Sequence, residues 1–218
     1  MALVVPRAAS PMNPIFRLTL EMRVVWAMSS PRLATHYTKT VLQQLLAVRR
    51  AKTLAPVDAA MLGVQCLTVN RQRLVLPLGE IAELLRGRDD TPTFAMAREM
   101  YGANVYLRAF RPDFRMGTVI DLGANRGMFQ LLATCGYGAR IAIGVEPNAL
   151  YDPVLRLLRE SNGLRAERVP RHRALASGTC GEGKITLAEL MDIYALKEVD
   201  FLKCDIEGGE FDVVVGNM

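Results

Sequence analysis

Asp121, Gly123, Asn125 and Gly127 stand at alternate positions in "TVIDLGANRGMF", the stretch from Thr118 to Phe129. An apolar run ends in an acid, passes through glycines and resumes as a new apolar run. Gly123 and Gly127 permit a tight turn that approaches a ligand without side-chain collision. The helix predicted to follow would offer free amide groups to an anionic group. A dinucleotide site has Gly-x-Gly-x-x-Gly at such a turn. Gly-Ala-Asn-Arg-Gly breaks that spacing, and the Asp121 carboxylate would repel a pyrophosphate. It suits a ligand with an ammonium group, such as S-adenosylmethionine. Glu146 closes the next apolar run, "RIAIGVE", where a carboxylate can accept both hydroxyls of a ribose. The plainer alternative is a tight turn with two solvated acids.

A second group lies in "KCDIEGGE": Lys203, Asp205, Glu207 and Glu210. Crowded carboxylates repel, so one binds its proton more tightly or a cation sits among them. Methyl transfer to oxygen needs a hydroxyl stripped of its proton, by a general base or by a metal that lowers its pKa. Asp205 at a strand tip serves either role. Glu210 also suits the start of a helix through its charge. Lys203 either balances the acids or takes part in the chemistry. A hard divalent cation on these oxygens is the weaker alternative. His172, the lone histidine of the second half, reads more simply as a surface residue than as a base.

The elements that must position these groups alternate strand and helix from Thr118 onward. "TVIDL", "RIAIGVE", a weaker "AERVPRHRALA" and "VDFLKCDIEG" are the expected strands. "GMFQLLATCG", "PNALYDPVLRLLRESNG" and "TLAELMDIYAL" are the expected helices, the last with a capping box from Thr186 to Glu189. This rhythm predicts a parallel α/β sheet covered by helices on both faces. The first part reads as mixed α and β. A loose arm to about residue 14 precedes helical spacing from Pro14 to about Lys52. Val41, Leu42, Leu45, Leu46 and Val48 suggest one packed helix there, with a membrane-surface helix as the alternative. "VQCLTVNRQRLVLPLG" is a hairpin turning at "NRQR". A short helix then stops at Gly87, and Thr91 and Pro92 open another.

The chain has 218 residues, half of them hydrophobic and 22% charged, an ordinary globular composition. Its net charge is +5. The arginines are scattered, with no run of five or more, which argues against a nucleic-acid footprint. Four unpaired cysteines and two isolated histidines point to reduced thiols, not a zinc site. "IFRLTLEMRVVWAM" is too short and too interrupted by charge to span a membrane. A cytoplasmic protein is the default expectation.

"VIDLGANRGMF", "GVEPNA", "ITLAEL" and "VDFLKCDIEGGEFDVV" together resemble the FkbM-type methyltransferases, over roughly residues 94 to 216. The resemblance implies a Rossmann-like class I sheet that uses S-adenosylmethionine and methylates a hydroxyl, on a sugar or secondary metabolite. It assigns Asp121, Gly123, Asn125, Gly127 and Glu146 to the cofactor. It places Lys203, Asp205, Glu207 and Glu210 toward the reacting centre, with Asp205, Glu207 and Lys203 as the catalytic candidates. Residues 1–93 would be an N-terminal extension and 94–218 the methyltransferase domain. Two departures stand out. "SGTCGEGKITL" is abrupt where the family carries a longer acceptor-side stretch. The family's sheet also continues past its fourth strand, so an incomplete sheet and self-association through its open edge are expected. The alternative function is a non-catalytic chain of the same fold that binds a nucleoside or a partner.

Overall fold

A computed structural model describes residues 14–88, 94–107, 109–110, 114–206 and 208–216. The arm before residue 14, the Thr91 and Pro92 helix start, and Glu207 lie outside the described residues.

The protein is mixed α/β around a four-stranded parallel sheet. Its strands are β3 (Thr118–Leu122), β4 (Ile141–Val145), β5 (Arg171–His172) and β8 (Phe201–Cys204), in the order β5-β4-β3-β8. Val119 and Ala142 point to one face, and Ile120, Leu122, Ile143 and Val145 to the other; all six are essentially buried. The first face is covered by α7 (Met128–Leu131), its wider continuation Leu132–Gly136, and α8 (Asp152–Ser161). The second meets α9 (Leu187–Ile193) through Leu190 and α10 (Glu210–Gly216) through Val213. Thr186 caps α9 as its sequence announces, with Glu189 closing the reciprocal hydrogen bond.

The weak third strand contributes only Arg171 and His172 to this sheet. Its remainder turns away: β6 (Leu175–Ala176) pairs in parallel with β7 (Lys184–Ile185). The abrupt "SGTCGEGKITL" segment therefore carries a strand that its composition did not announce. Among the described residues no strand pairs with the outer edge of β8.

The N-terminal part begins with α1 (Pro14–Met28), α2 (Pro31–Gln43), α3 (Leu45–Ala51) and α4 (Ala55–Ala60). Ser30 caps α2, and Pro31 sits where a missing N–H costs nothing. The single helix expected over Val41–Val48 breaks at Gln44. Leu42, Leu45 and Leu46 do not pack into the core; they are 67%, 48% and 72% exposed. The buried stripe of α2 runs instead through Leu33, Ala34, Tyr37 and Val41. Strands β1 (Val64–Val69) and β2 (Gln72–Pro77) form the expected hairpin. Its turn is the two residues Asn70 and Arg71, both at positive φ, which matches the right-handed strand twist. Gln72 and Arg73, read as turn, already belong to β2. Helix α5 (Leu78–Leu84) follows, and α6 (Phe94–Ala97) widens into the turn Arg98–Gly102. Arg98 forks onto the buried Asp58 of α4 at 2.9 and 2.7 Å and also reaches Glu21 of α1. One hydrophobic core runs from Val25 through the hairpin to Leu158.

Candidate functional site

In parallel α/β sheets ligands sit beyond the carboxyl ends of the strands. Asp121 pairs with Gly144 on one side and Lys203 on the other, and Leu122 pairs with Val145 and Cys204. The next residues of the three strands, Gly123, Glu146 and Asp205, therefore stand side by side at one end of the sheet. Backbone hydrogen bonds hold that edge: Gly123 N and Ala124 N donate to Val145 O, and Asp205 N to Leu122 O.

The glycine turn is built to pack. A Cβ on Gly123 would lie 1.9 Å from the Asp205 carbonyl oxygen, and one on Gly127 would lie 2.4 Å from Leu155 Cδ1. Both residues have positive φ, +74° and +83°. Protein neighbours thus occupy the space a side chain would need at both glycines. Asn125, also left-handed at φ 46°, is held from three directions. Its N–H donates to Glu146 Oε2 at 2.9 Å, and its side-chain oxygen accepts from Arg126 N at 2.8 Å. Its carbonyl accepts from the Arg171 guanidinium. Glu146 uses its second oxygen on Asn148 N, 2.9 Å away.

Asp121 is fully buried, and the cation beside it is Lys203, with Nζ 2.9 Å from Oδ1. Lys203 also donates to Gly123 O at 3.2 Å and lies 3.7 Å from Asp205 Oδ2. The ammonium expected from a ligand is thus supplied at Asp121 by the protein itself. Burial raises the Asp121 pKa to about 6, against the lowering pull of Lys203. Its Oδ2 has no hydrogen-bond donor, and the Arg171 Nε–H has no acceptor. Arg171 is 3.6 Å from Asp152 of α8, and burial lowers its pKa.

Asp205 is half-exposed and accepts from the Tyr106 hydroxyl at 2.8 Å. Burial pushes the Tyr106 pKa up, and the bond to Asp205 adds to it, so the phenol stays a donor. Tyr106 packs edge-on against Phe129, and Lys203 Nζ sits 5.3 Å from the Tyr106 ring centre. Tyr106 and Arg171 were not singled out from sequence. Neither falls in a motif, and only strand register and folding of the 94–117 segment bring them in. Glu210 accepts from Ile206 N and Gly208 N, in the loop that leads into α10. Its pKa is lowered by backbone hydrogen bonds, foremost its own N–H. His172 faces the opposite side of the sheet and contacts the Tyr194 hydroxyl at 2.9 Å. Among the described residues no three His, Cys, Asp or Glu side chains are grouped to hold a metal. All four cysteines are free. No helix among the described residues is long and apolar enough to cross a membrane.

These features define a mixed α/β protein with a polar constellation at the carboxyl ends of a parallel sheet. No family model and no curated protein matches the chain. Among solved structures it is similar to methyltransferase FkbM from Methylobacillus flagellatus KT, at 15% identity and a TM-score of 0.39. The match covers 93% of this chain and 44% of that one, so the chain spans less than half the length of that protein. At that distance the likeness carries no argument about fold or chemistry.

Proposed function

We propose that the chain is a Rossmann-like, S-adenosylmethionine-dependent methyltransferase acting on a hydroxyl of a sugar or secondary metabolite. The observation that carries this reading is the register that sets Gly123, Glu146 and Asp205 side by side at the carboxyl ends of three adjacent strands. The order β5-β4-β3-β8, with helices on both faces, supports it, as nucleotide-binding sheets have this arrangement.

The residues fit the cofactor's chemistry. Glu146 keeps lone pairs beyond the two backbone donors it serves, and these would take the ribose hydroxyls. The left-handed turn from Gly123 to Gly127 would flank the nucleoside. Asp121 acts from beneath, by holding Lys203 under the turn. When bound, S-adenosylmethionine supplies an electrophilic methyl group. Asp205, fixed by Tyr106 and Lys203, would accept the proton that the acceptor hydroxyl releases. Most of the rate gain would come from alignment, because in-line geometry removes the entropy of bringing the reactants together. Glu207 belongs to the same proposal through its motif alone.

Calorimetric titration with S-adenosylhomocysteine and with NAD tests the cofactor. We expect S-adenosylhomocysteine to bind tighter, and Glu146→Ala to weaken it by about 1–3 kcal/mol, the usual penalty for leaving a hydrogen-bonding group unpaired. Tighter binding of NAD sinks the reading. Binding without methyl transfer to any hydroxyl acceptor favours the non-catalytic alternative.

A further inference from the structure

A cavity of about 420 Å³ lies at the opposite end of the sheet from the glycine turn. Arg115, Gly138 and Arg168 line it, and each stands three residues before β3, β4 or β5. The void is therefore at the amino ends of these strands, with Arg73 of β2 reaching in from the hairpin. Among the described residues no carboxylate lines the cavity, and none of the three arginines is in an ion pair.

The arginines differ in how firmly they are held. Arg168 is half-buried and clamped to the chain. Its Nε and Nη2 donate to Ala139 O at 3.1 and 2.8 Å, and Nη2 also donates to Thr134 O at 3.2 Å. Those bonds leave its Nη1 group unengaged. Arg73 and Arg115 are exposed. Arg73 reaches only the weak acceptor Cys66 Sγ, and Arg115 only its neighbour's carbonyl, Phe114 O. Three guanidinium charges around one void repel each other. An anion between them relieves that repulsion; the forks of Arg73 and Arg115 can supply paired N–H donors to it, and Arg168 the hydrogens of its Nη1.

We propose that this cavity binds the phosphoryl group of a phosphorylated small molecule. A phosphate offers three terminal oxygens and up to two negative charges, enough to engage all three guanidinium groups. A carboxylate has two oxygens and one charge and leaves a guanidinium unmatched. The volume exceeds what a bare phosphate needs and falls within the range of small-molecule sites, about 300–1,000 Å³. The ligand therefore carries a further group beyond its phosphate. This site is at the far end of the sheet from Glu146, so the inference stands independently of the cofactor reading.

The test is calorimetric titration of the chain with pyrophosphate and with inorganic phosphate, ionic strength being held constant with sodium chloride. Saturable one-site binding is expected. Arg115→Gln and Arg73→Gln should each weaken it about tenfold. Arg165→Gln, an exposed arginine outside the cavity, should leave it unchanged. Arg168→Gln should weaken it further; if the lost carbonyl bonds prevent folding, the two exposed variants still decide. Binding that does not saturate, or that all variants share equally, overturns the proposal. So does binding to phosphatidylglycerol vesicles without any binding of pyrophosphate.

Discussion

Asn125 shows how single residues prepare this site. A non-glycine residue in the left-handed region is strained, though asparagine tolerates it better than most. Here its N–H is held by Glu146 and its carbonyl by Arg171, so the peptide cannot rotate without breaking a charged hydrogen bond on either side. Arg171 thereby becomes a positioning residue for the turn, even though it lies outside the motif. Arg171→Ala is expected to weaken S-adenosylhomocysteine by about 1.5–3 kcal/mol, the range for a hydrogen bond to a charged group. Arg171→Lys should recover part of that loss, because it restores the charge but not the fork. In a turnover assay the cofactor KM should rise while kcat stays near its original value. Equal affinities in all three proteins would leave Arg171 as a purely structural cation.

At the scale of elements, one side chain ties the hairpin to the end of α8, beside the apolar core they share. Asn162, just past α8, donates from Nδ2 to Val75 O and accepts at Oδ1 from Val75 N, both at 2.8 Å. It imitates the edge of a neighbouring strand and satisfies both backbone groups of Val75 in β2. Asn70 makes a second tie, to Gly136 O at 3.2 Å. Asn162→Ala leaves Val75 N and O without these partners and should cost about 2–4 kcal/mol, the penalty for two part-buried groups. A denaturant midpoint that hardly moves would show that water replaces the amide. The hairpin, the strands β3, β4 and β8 and the α9 capping box were legible in the sequence, since each rests on local spacing. The break at Gln44 and the β6–β7 pairing were not, since contacts distant in sequence decide them.

For the whole molecule, the buried row across β5, β3 and β8 links stability to pH. Asp121 has a folded-state pKa of about 6, above the usual carboxylate value, because burial outweighs the attraction of Lys203. Between about pH 4 and pH 6 the folded chain binds more protons at this site than the unfolded chain does. Stability from this group is therefore fully present below that window and declines as pH rises through it, by about 3 kcal/mol in total. Asp121→Asn removes the titration. Thermal unfolding followed from about pH 4 to pH 7 should show a falling contribution in the native protein that is absent from the variant. Parallel pH profiles would mean that Lys203 keeps Asp121 ionised throughout. The slope is the informative quantity, since the substitution also removes the charge that faces Lys203.

The sequence by itself determined the strand–helix alternation from Thr118 onward and which acids lie near the ends of three of its strands. Alternating apolar runs, glycines and caps act over a few residues, so "TVIDL", "RIAIGVE" and "VDFLKCDIEG" announce strands that carry Asp121, Glu146 and Asp205 toward their ends. What each acid faces was decided only by the tertiary structure. Register puts Lys203 beside Asp121, helix geometry turns Glu210 onto its own backbone, and folding of the preceding segment delivers Tyr106 to Asp205. The same holds for Arg73, Arg115 and Arg168, which are widely spaced in the chain and meet at one cavity. Charge and burial at a site depend on neighbours that strand order brings together, and one-dimensional spacing carries no record of that order.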